Sequence, residues 1–273
     1  MLSEAEFALV AREVKARSGL ALSHELSSAV EARLQPIARR ENFMSISELV
    51  AAARNRADGK LWGHIADALS PCDTRFFRDR GMFETLRTAT IPEALKRRGH
   101  ERIRIWSAGC STGQEPYSIA KLIEEIRSTG VVAAADLVAT DFSDRLLDKA
   151  RAGLYTQFEV QRGLPIKKLI AYFEKAGDLW RISDRLRASV KFENHNLLKH
   201  PEQLGQFDII LMSHVLGGFD AETRTAVMAR AADALAPGGA IILGAGETLP
   251  DNCEGLTFSA GVVTRRVAAR AAA

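Results

Sequence analysis

"IRIWSAGCSTGQEPYSIAKLIEEI" (residues 103–126) sets the reading of the chain. A short apolar run, Ile103 to Trp106, meets seven small residues, Ser107 to Gly113, and a helical pattern follows at once. Strand, tight loop and helix in this order are the opening of a βαβ unit. The same grammar recurs downstream. "ADLVATDFS" (135–143) reads as strand and polar turn, followed by the helix "DRLLDKARAG", closed by Gly153. "VKFENHNLL" (190–198) reads as strand and loop, and "FDIILMS" (207–213) as a buried strand. "ETRTAVMARAADAL" is a helix stopped by "APGG" (236–239), and "AIILGAGE" is another strand. "FSAGVVTRRV" offers a last strand before an alanine-rich end. Alternation of this kind implies a mostly parallel sheet covered by helices on both faces.

Upstream the grammar is different. Residues 1–70 read as helices alone, with Phe7, Val10 and Val14 at helical spacing. Ser23, and Ser45 or Ser47, are candidate N-caps. "SPCDTRFFRDRG" (70–81) is a linker carrying charged groups, and 82–99 returns to helix. A small helical domain, 1–72, thus precedes a larger α/β domain, 73–273.

Composition limits the function. The chain has 273 residues, 47% hydrophobic and 26% charged, with a net charge of +3. That balance is ordinary for a globular protein and too weakly basic to suggest nucleic acid or an anionic membrane. Three distant cysteines, Cys72, Cys110 and Cys253, form neither a disulfide framework nor a zinc pattern. No apolar run reaches membrane-spanning length, and "MLSEAEFALV" lacks the basic start of a signal peptide. The expectation is a cytoplasmic protein with no metal, no nucleic-acid partner and no membrane insertion.

In an open parallel sheet, ligands bind beyond the C-terminal strand ends. The loop 107–113 lies there, with Gly109 and Gly113 allowing close backbone approach and unusual φ. Its G-x-x-x-G is neither the dinucleotide fingerprint nor a P-loop, and it has no lysine for a phosphate. A nucleoside without phosphates fits better, with Asp141, at the end of the second strand, accepting from ribose hydroxyls. S-adenosylmethionine is such a ligand. Read blandly, the glycines only permit close packing and Asp141 only caps the next helix.

"RIWSAGCSTGQEPYSIA" resembles the cofactor motif of the CheR-type family, the chemotaxis receptor glutamate methyltransferases. The likeness continues in "TRFFRD" (74–79), "ATDFSDRLLDKARAGLY" (139–155), "NLL" (196–198), "FDIILMSHVLGGFD" (207–220) and "LAPGGAIILGAGE" (235–247). It implies a helical domain followed by a seven-stranded Rossmann-like class I methyltransferase domain. It also implies S-adenosylmethionine as methyl donor, S-adenosylhomocysteine as product, and glutamates of a chemoreceptor cytoplasmic domain as acceptor, acted on by a monomer. Motif by motif, Thr74, Arg78, Gly109, Glu115, Asp141, Asn196 and Leu197 take cofactor-contacting places, with Arg78 also near the reacting centre. Glu115 would meet the cofactor's α-ammonium, though a first-turn carboxylate is favoured anyway. Arg78 could instead pair with Asp79 or Asp73.

One wall departs from the pattern. The family's fourth strand usually ends Arg-Asn-Val-x-Ile-Tyr-Phe, and its Tyr lines the site beside the methyl group. Ser213, His214, Gly217 and Gly218 stand in the places of the Arg, Asn, Ile and Tyr. Ser213 and His214 are expected as substitute groups near the cofactor, His214 the more tempting as a catalyst, and the two glycines are expected to loosen the loop. The family's N-terminal domain faces the receptor's acidic region; here Arg33, Arg39 and Arg40 share that helix with Glu25 and Glu31. The segment between Tyr155 and Phe192 leaves little room for a receptor-tether loop and reads as a compact helix and hairpin. Two functional readings stay open: an enzyme making glutamyl methyl esters, and a degenerate cofactor-binding module acting through protein contacts. A methyltransferase with another acceptor is a third.

Overall fold

The computed structural model of the chain describes residues 2–266; the alanine-rich end lies outside them. The chain forms two compact units. One holds Met1–Pro71 and Gly218–Thr223, the other Cys72–Gly217 and the chain from Arg224 on.

The first unit is helical: α1 (Glu4–Ser18), α2 (Ser27–Arg40), α3 (Ile46–Asn55) and α4 (Lys60–Leu69). Ser3 and Glu6 close a capping box on α1, and Gly19 ends it in the left-handed region. Ser45 caps α3 through the Glu48 N–H. Ser23 makes no side-chain cap; it precedes one 3₁₀ turn, and α2 starts four residues later at Ser27. Val10, Val14, Leu34, Leu49 and Ile65 are the fully buried core of this unit. Arg33 is exposed, but its Nη1 donates to the Leu69 carbonyl at 3.0 Å, so its geometry is set by the end of α4. The 218–223 segment joins this unit through the Gly218 carbonyl, which accepts from the Ala21 N–H at 2.9 Å, and through an ion pair of Lys15 with Asp220.

The second unit opens with α5 (Arg80–Thr85), one π turn at Leu86–Thr90, and α6 (Ile91–Arg98). The α/β core then runs β1 (Ile103–Ala108), α7 (Gln114–Ser128), β2 (Ala135–Asp141) and α8 (Asp144–Ala152). Next come β3 (Leu154–Thr156), α9 (Gln157–Gln161), α10 (Ile166–Tyr172), β4 (Phe173–Ala176), β5 (Leu179–Ile182), α11 (Asp184–Ala188) and β6 (Val190–Asn194). The chain continues with β7 (Phe207–Met212), α12 (Ala221–Asp233), β8 (Leu235–Leu243), β9 (Leu256–Ser259) and β10 (Val262–Arg265).

Seven strands form one sheet in the order β6-β2-β1-β7-β8-β10-β9. Pairing is parallel from β6 to β8, and β10 is antiparallel to both β8 and β9. This is the mostly parallel, seven-stranded Rossmann-like sheet that the resemblance implies. Every residue of β7 is buried, as a central parallel strand covered on both faces requires. Each such apolar side chain contributes about 1.5–3 kcal/mol. β8 begins at Leu235, so "APGG" lies inside the strand; a register irregularity between Phe207 and Ile209 accommodates it. The 154–182 stretch is more than a helix and hairpin, since β3, β5 and β4 form a separate antiparallel sheet.

Asp208 and Lys121 are charged groups that lie deepest in this unit. Asp208 is buried at the start of β7 and accepts from Arg98 Nε (2.9 Å), Arg97 Nη2 (3.3 Å) and the Arg104 N–H (2.9 Å), so its charge is paired. Lys121 of α7 is fully buried, with Nζ 4.3 Å from the ring centroids of both Phe76 and Phe173 and no hydrogen-bond partner. Burial, with the Lys168 charge nearby, holds its pKa well below the usual lysine range.

Candidate active site at the switch point of the sheet

The chain leaves β1 toward β2 and β6 on one side and returns to build β7 and β8 on the other. The C-terminal ends of β1 and β7 are therefore the switch point, where the two following loops diverge and leave a crevice. Glu115 lies there in the first turn of α7, partly buried. Ser107, near the end of β1, donates to its Oε1 at 2.8 Å, and Ser213, just after β7, donates to its Oε2 at 2.6 Å. One carboxylate thus joins the two strand ends. It has hydroxyl donors but no cation bonded to it among the described residues. Burial raises its pKa most; the hydroxyls and the Arg78 charge counter that, and the Glu247 charge adds to it. A partly desolvated carboxylate with this surplus of negative charge suits a ligand ammonium.

Asp141, the last residue of β2, is buried. Its Oδ2 accepts from the Ser111 N–H at 2.9 Å and its Oδ1 from the Ser143 N–H at 3.0 Å. The cap of α8 is Ser143, through the Leu146 N–H, and not Asp141. Asp141 instead ties the loop after β1 to the loop after β2. Its carbonyl accepts from the His195 N–H (3.1 Å), which brings the turn at 196–199 to the same strand end. There Asn196 Oδ1 accepts from the Leu198 N–H at 3.0 Å, and Leu197 is partly buried. Ser111 Oγ, on the residue whose N–H meets Asp141, is buried without a protein partner. This orphaned hydroxyl beside Asp141, with the uncompensated Glu115, fits a polar cationic nucleoside of the S-adenosylmethionine kind.

Around the crevice, Gly109 and Gly113 have φ of 72° and 90°. A Cβ at Gly109 would lie 2.8 Å from Val215 Cγ2, and one at Gly113 2.9 Å from Ala150 Cβ. The close approach these glycines permit is therefore made by protein: the 213–217 loop at one, α8 at the other. Tyr155 Oη donates to the Thr112 carbonyl and Tyr117 Oη to the Ala150 carbonyl, each at 2.8 Å, supporting the loop from behind.

Arg78 pairs with Asp73, Nη2 to Oδ2 at 3.2 Å, rather than with Asp79. Thr74 is partly buried on the same segment, its N–H on the Cys72 carbonyl. Asp79 caps α5 through the Met82 N–H and accepts from the Ala245 N–H at 2.5 Å. His214 is exposed with φ of 57°; its backbone N–H donates to Glu247 Oε2 at 2.7 Å. Its ring stands against Gly244, where a Cβ would come within 2.9 Å of Nε2. Glu247 is the residue that sequence reasoning missed. It is a single acid in a turn, and only the adjacency of β7 and β8 makes it part of the site.

Comparison with known proteins agrees with this geometry. The family model described as "CheR methyltransferase, SAM binding domain" matches residues 72–263. The chain is 34% identical to chemotaxis protein methyltransferase 1 of Pseudomonas aeruginosa over 96% of its own length and 98% of the relative's. It is 35% identical to a chemotaxis protein methyltransferase of Vibrio parahaemolyticus, over 91% of this chain and 90% of that one. Among solved structures, a TehB-like SAM-dependent methyltransferase from Corynebacterium glutamicum aligns over 72% of this chain and 74% of its own, at 17% identity and a TM-score of 0.36. The chain belongs to the CheR methyltransferase family, and its residues 72–263 are that family's S-adenosylmethionine-binding domain.

Proposed function

We propose that the chain transfers a methyl group from S-adenosylmethionine to glutamate side chains in the cytoplasmic domain of a chemoreceptor, giving glutamyl methyl esters and S-adenosylhomocysteine. The observation that carries this is Glu115: a partly buried carboxylate at the switch point, bonded by two serines and by no cation among the described residues. The names of the relatives support the chemotaxis role, and no described helix is long and apolar enough to cross a membrane. The enzyme reading is favoured over the binding module. The helical part, 1–72, and the methyltransferase part, 73–273, are our division of labour, which the two compact units support.

Bound S-adenosylmethionine supplies an electrophilic methyl on a sulfonium. The protein's own residues do the rest. Glu115 holds the α-ammonium, Asp141 the ribose hydroxyls, and Asn196, Leu197 and Thr74 border the nucleoside. Gly109, Ser213 and His214 shape the wall between the loops. Arg78, released from Asp73, steers the acceptor carboxylate. No catalytic base is required, because a glutamate is already ionised at neutral pH and its oxygen supplies the electron pair of the new O–CH₃ bond. Rate comes from in-line positioning and from excluding water while opposite charges neutralise. Calorimetric titration with S-adenosylmethionine, then a base-labile methyl-ester assay on receptor-containing membranes, tests this. Binding with no ester on any receptor would return the binding-module reading.

A further inference from the structure

The departure at residues 213–218 leaves a question of order: what fixes a wall that has exchanged bulky residues for Ser, His and two Gly? A Cβ at Gly217 would meet nothing within 4 Å, so no neighbour packs against that side of it. Leu216 beside it is buried and Val215 packs on Gly109, and a polar hold is added from the next strand end. Glu247 Oε2 accepts two backbone N–H groups, from His214 at 2.7 Å and from Gly244 at 2.9 Å. The first lies on the loop after β7 and the second at the end of β8, so one carboxylate oxygen fastens two strand ends together. The acceptor is matched to a strained donor. His214 sits at φ of 57°, in the left-handed region that disfavours a non-glycine residue. The hydrogen bond from its N–H to Glu247 offsets that cost. Gly244 completes the fit, since any Cβ would strike both the His214 ring and Glu247 Oε2, at 2.9 and 3.0 Å. The other oxygen, Oε1, is buried without a partner, and the Glu247 charge reaches Glu115.

We propose that Glu247 is a positioning residue for methyl transfer: it locks the wall at Ser213–Val215 in place, and through Ser213 it sets the orientation of Glu115. Its consequence for turnover rests on the methyltransferase reading above; the lock itself does not. The lock explains how a wall with two adjacent glycines stays ordered where it borders the crevice. It also explains why the backbone of His214, and not its ring, is the part the fold uses.

Two substitutions separate position from charge. Glu247→Gln keeps an amide oxygen for both N–H groups, whereas Glu247→Ala keeps neither. Amide hydrogen exchange of the ligand-free protein, read at His214 and Gly244 with Ile105 and Ile210 as controls for folding, needs no activity. Glu247→Ala should speed exchange at His214 and Gly244 at least tenfold with the controls unchanged, and Glu247→Gln should stay within about threefold of the parent. On receptor membranes, Glu247→Ala should lower kcat about tenfold to a hundredfold, with KM for S-adenosylmethionine within about threefold, and Glu247→Gln should restore most of the rate. Parent-like exchange at His214 in Glu247→Ala overturns the proposal. So does an equal kcat loss in both variants, which would mean that charge acts and not position. If the parent protein forms no ester, the methyltransferase reading fails, while the exchange data still decide the lock.

Discussion

Two loops meet at the switch point, and they are built differently. The loop after β1 is held from within and behind. Cys110 N–H bonds the Thr140 carbonyl, Gly113 N–H bonds the Cys110 carbonyl, Ser111 N–H bonds Asp141, and Tyr155 bonds Thr112. The loop after β7 is held by two carboxylates from elsewhere: Glu115 takes Ser213, and Glu247 takes the His214 N–H. Backbone bonds survive side-chain drift, because any residue supplies them. Side-chain locks do not. Because Glu247 holds the His214 backbone N–H, the side chain at that position can change while the acid stays; Ser213 cannot, since its own hydroxyl meets Glu115.

That contrast can be broken most severely at the first loop. Gly113→Ala would force a Cβ to 2.9 Å from Ala150 at φ of 90°. Overpacking and the left-handed penalty together should cost about 3 kcal/mol. Chemical denaturation measures this; a loss below about 1 kcal/mol would show that the loop yields.

Next in size is Glu115→Gln. Removing a charged partner should weaken S-adenosylmethionine binding by about 1.5–3 kcal/mol, roughly tenfold to a hundredfold. The ligand-free protein should gain stability. The folded-state pKa of Glu115 is raised, so the unfolded chain ionises it more readily, and the folded protein bears a burial cost at neutral pH. That cost is absent below the unfolded pKa and grows as pH rises through the folded one. Affinity in the parent should fall on acidification from above the ordinary carboxylate range, and in the Gln variant it should be flat. Calorimetry across pH, with melting of the free protein, checks both signs.

Tyr155→Phe removes only the support behind Thr112. It should cost about 1–3 kcal/mol of stability, as for one unsatisfied buried carbonyl, with cofactor affinity changed less than threefold. The smallest effect belongs to the second loop: Gly217→Ala meets open space and should stay within about 0.5 kcal/mol. A large loss there would mean that the loop is packed after all.

Much of this was legible in the sequence. The apolar run at 103–106, the small-residue loop and the later strand–helix repeats have local periodicities, so the parallel sheet and the helical first part follow from them. What escaped depends on contacts distant in the chain. Nothing in "GAGETLP" shows that Glu247 reaches His214, 33 residues away. Gly109 looked like room for a ligand, yet Val215 occupies its open side. The helical pattern of α7 gave no sign that Lys121 lies among Phe76 and Phe173, because those rings come from segments on either side of it in sequence. Gly218, read as part of the methyl-facing wall, is bonded to Ala21 in the helical unit.

The order of strands across the sheet also dictates an order in time. β1 lies between β2 and β7, and its Arg104 N–H bonds Asp208, 104 residues further along. During synthesis β1 and β2 can pair early, but one edge of β1 must wait for β7. Contacts this distant are slow to form, and an apolar strand edge left open is a template for wrong pairing. The hairpin of β4 and β5 is local and can close in the meantime. The nascent chain therefore passes through a stage in which the future cofactor crevice is half a sheet. A ribosome-bound chain stopped before Phe207 would be a client for holding chaperones, and release from them would wait until β10 has paired with β8.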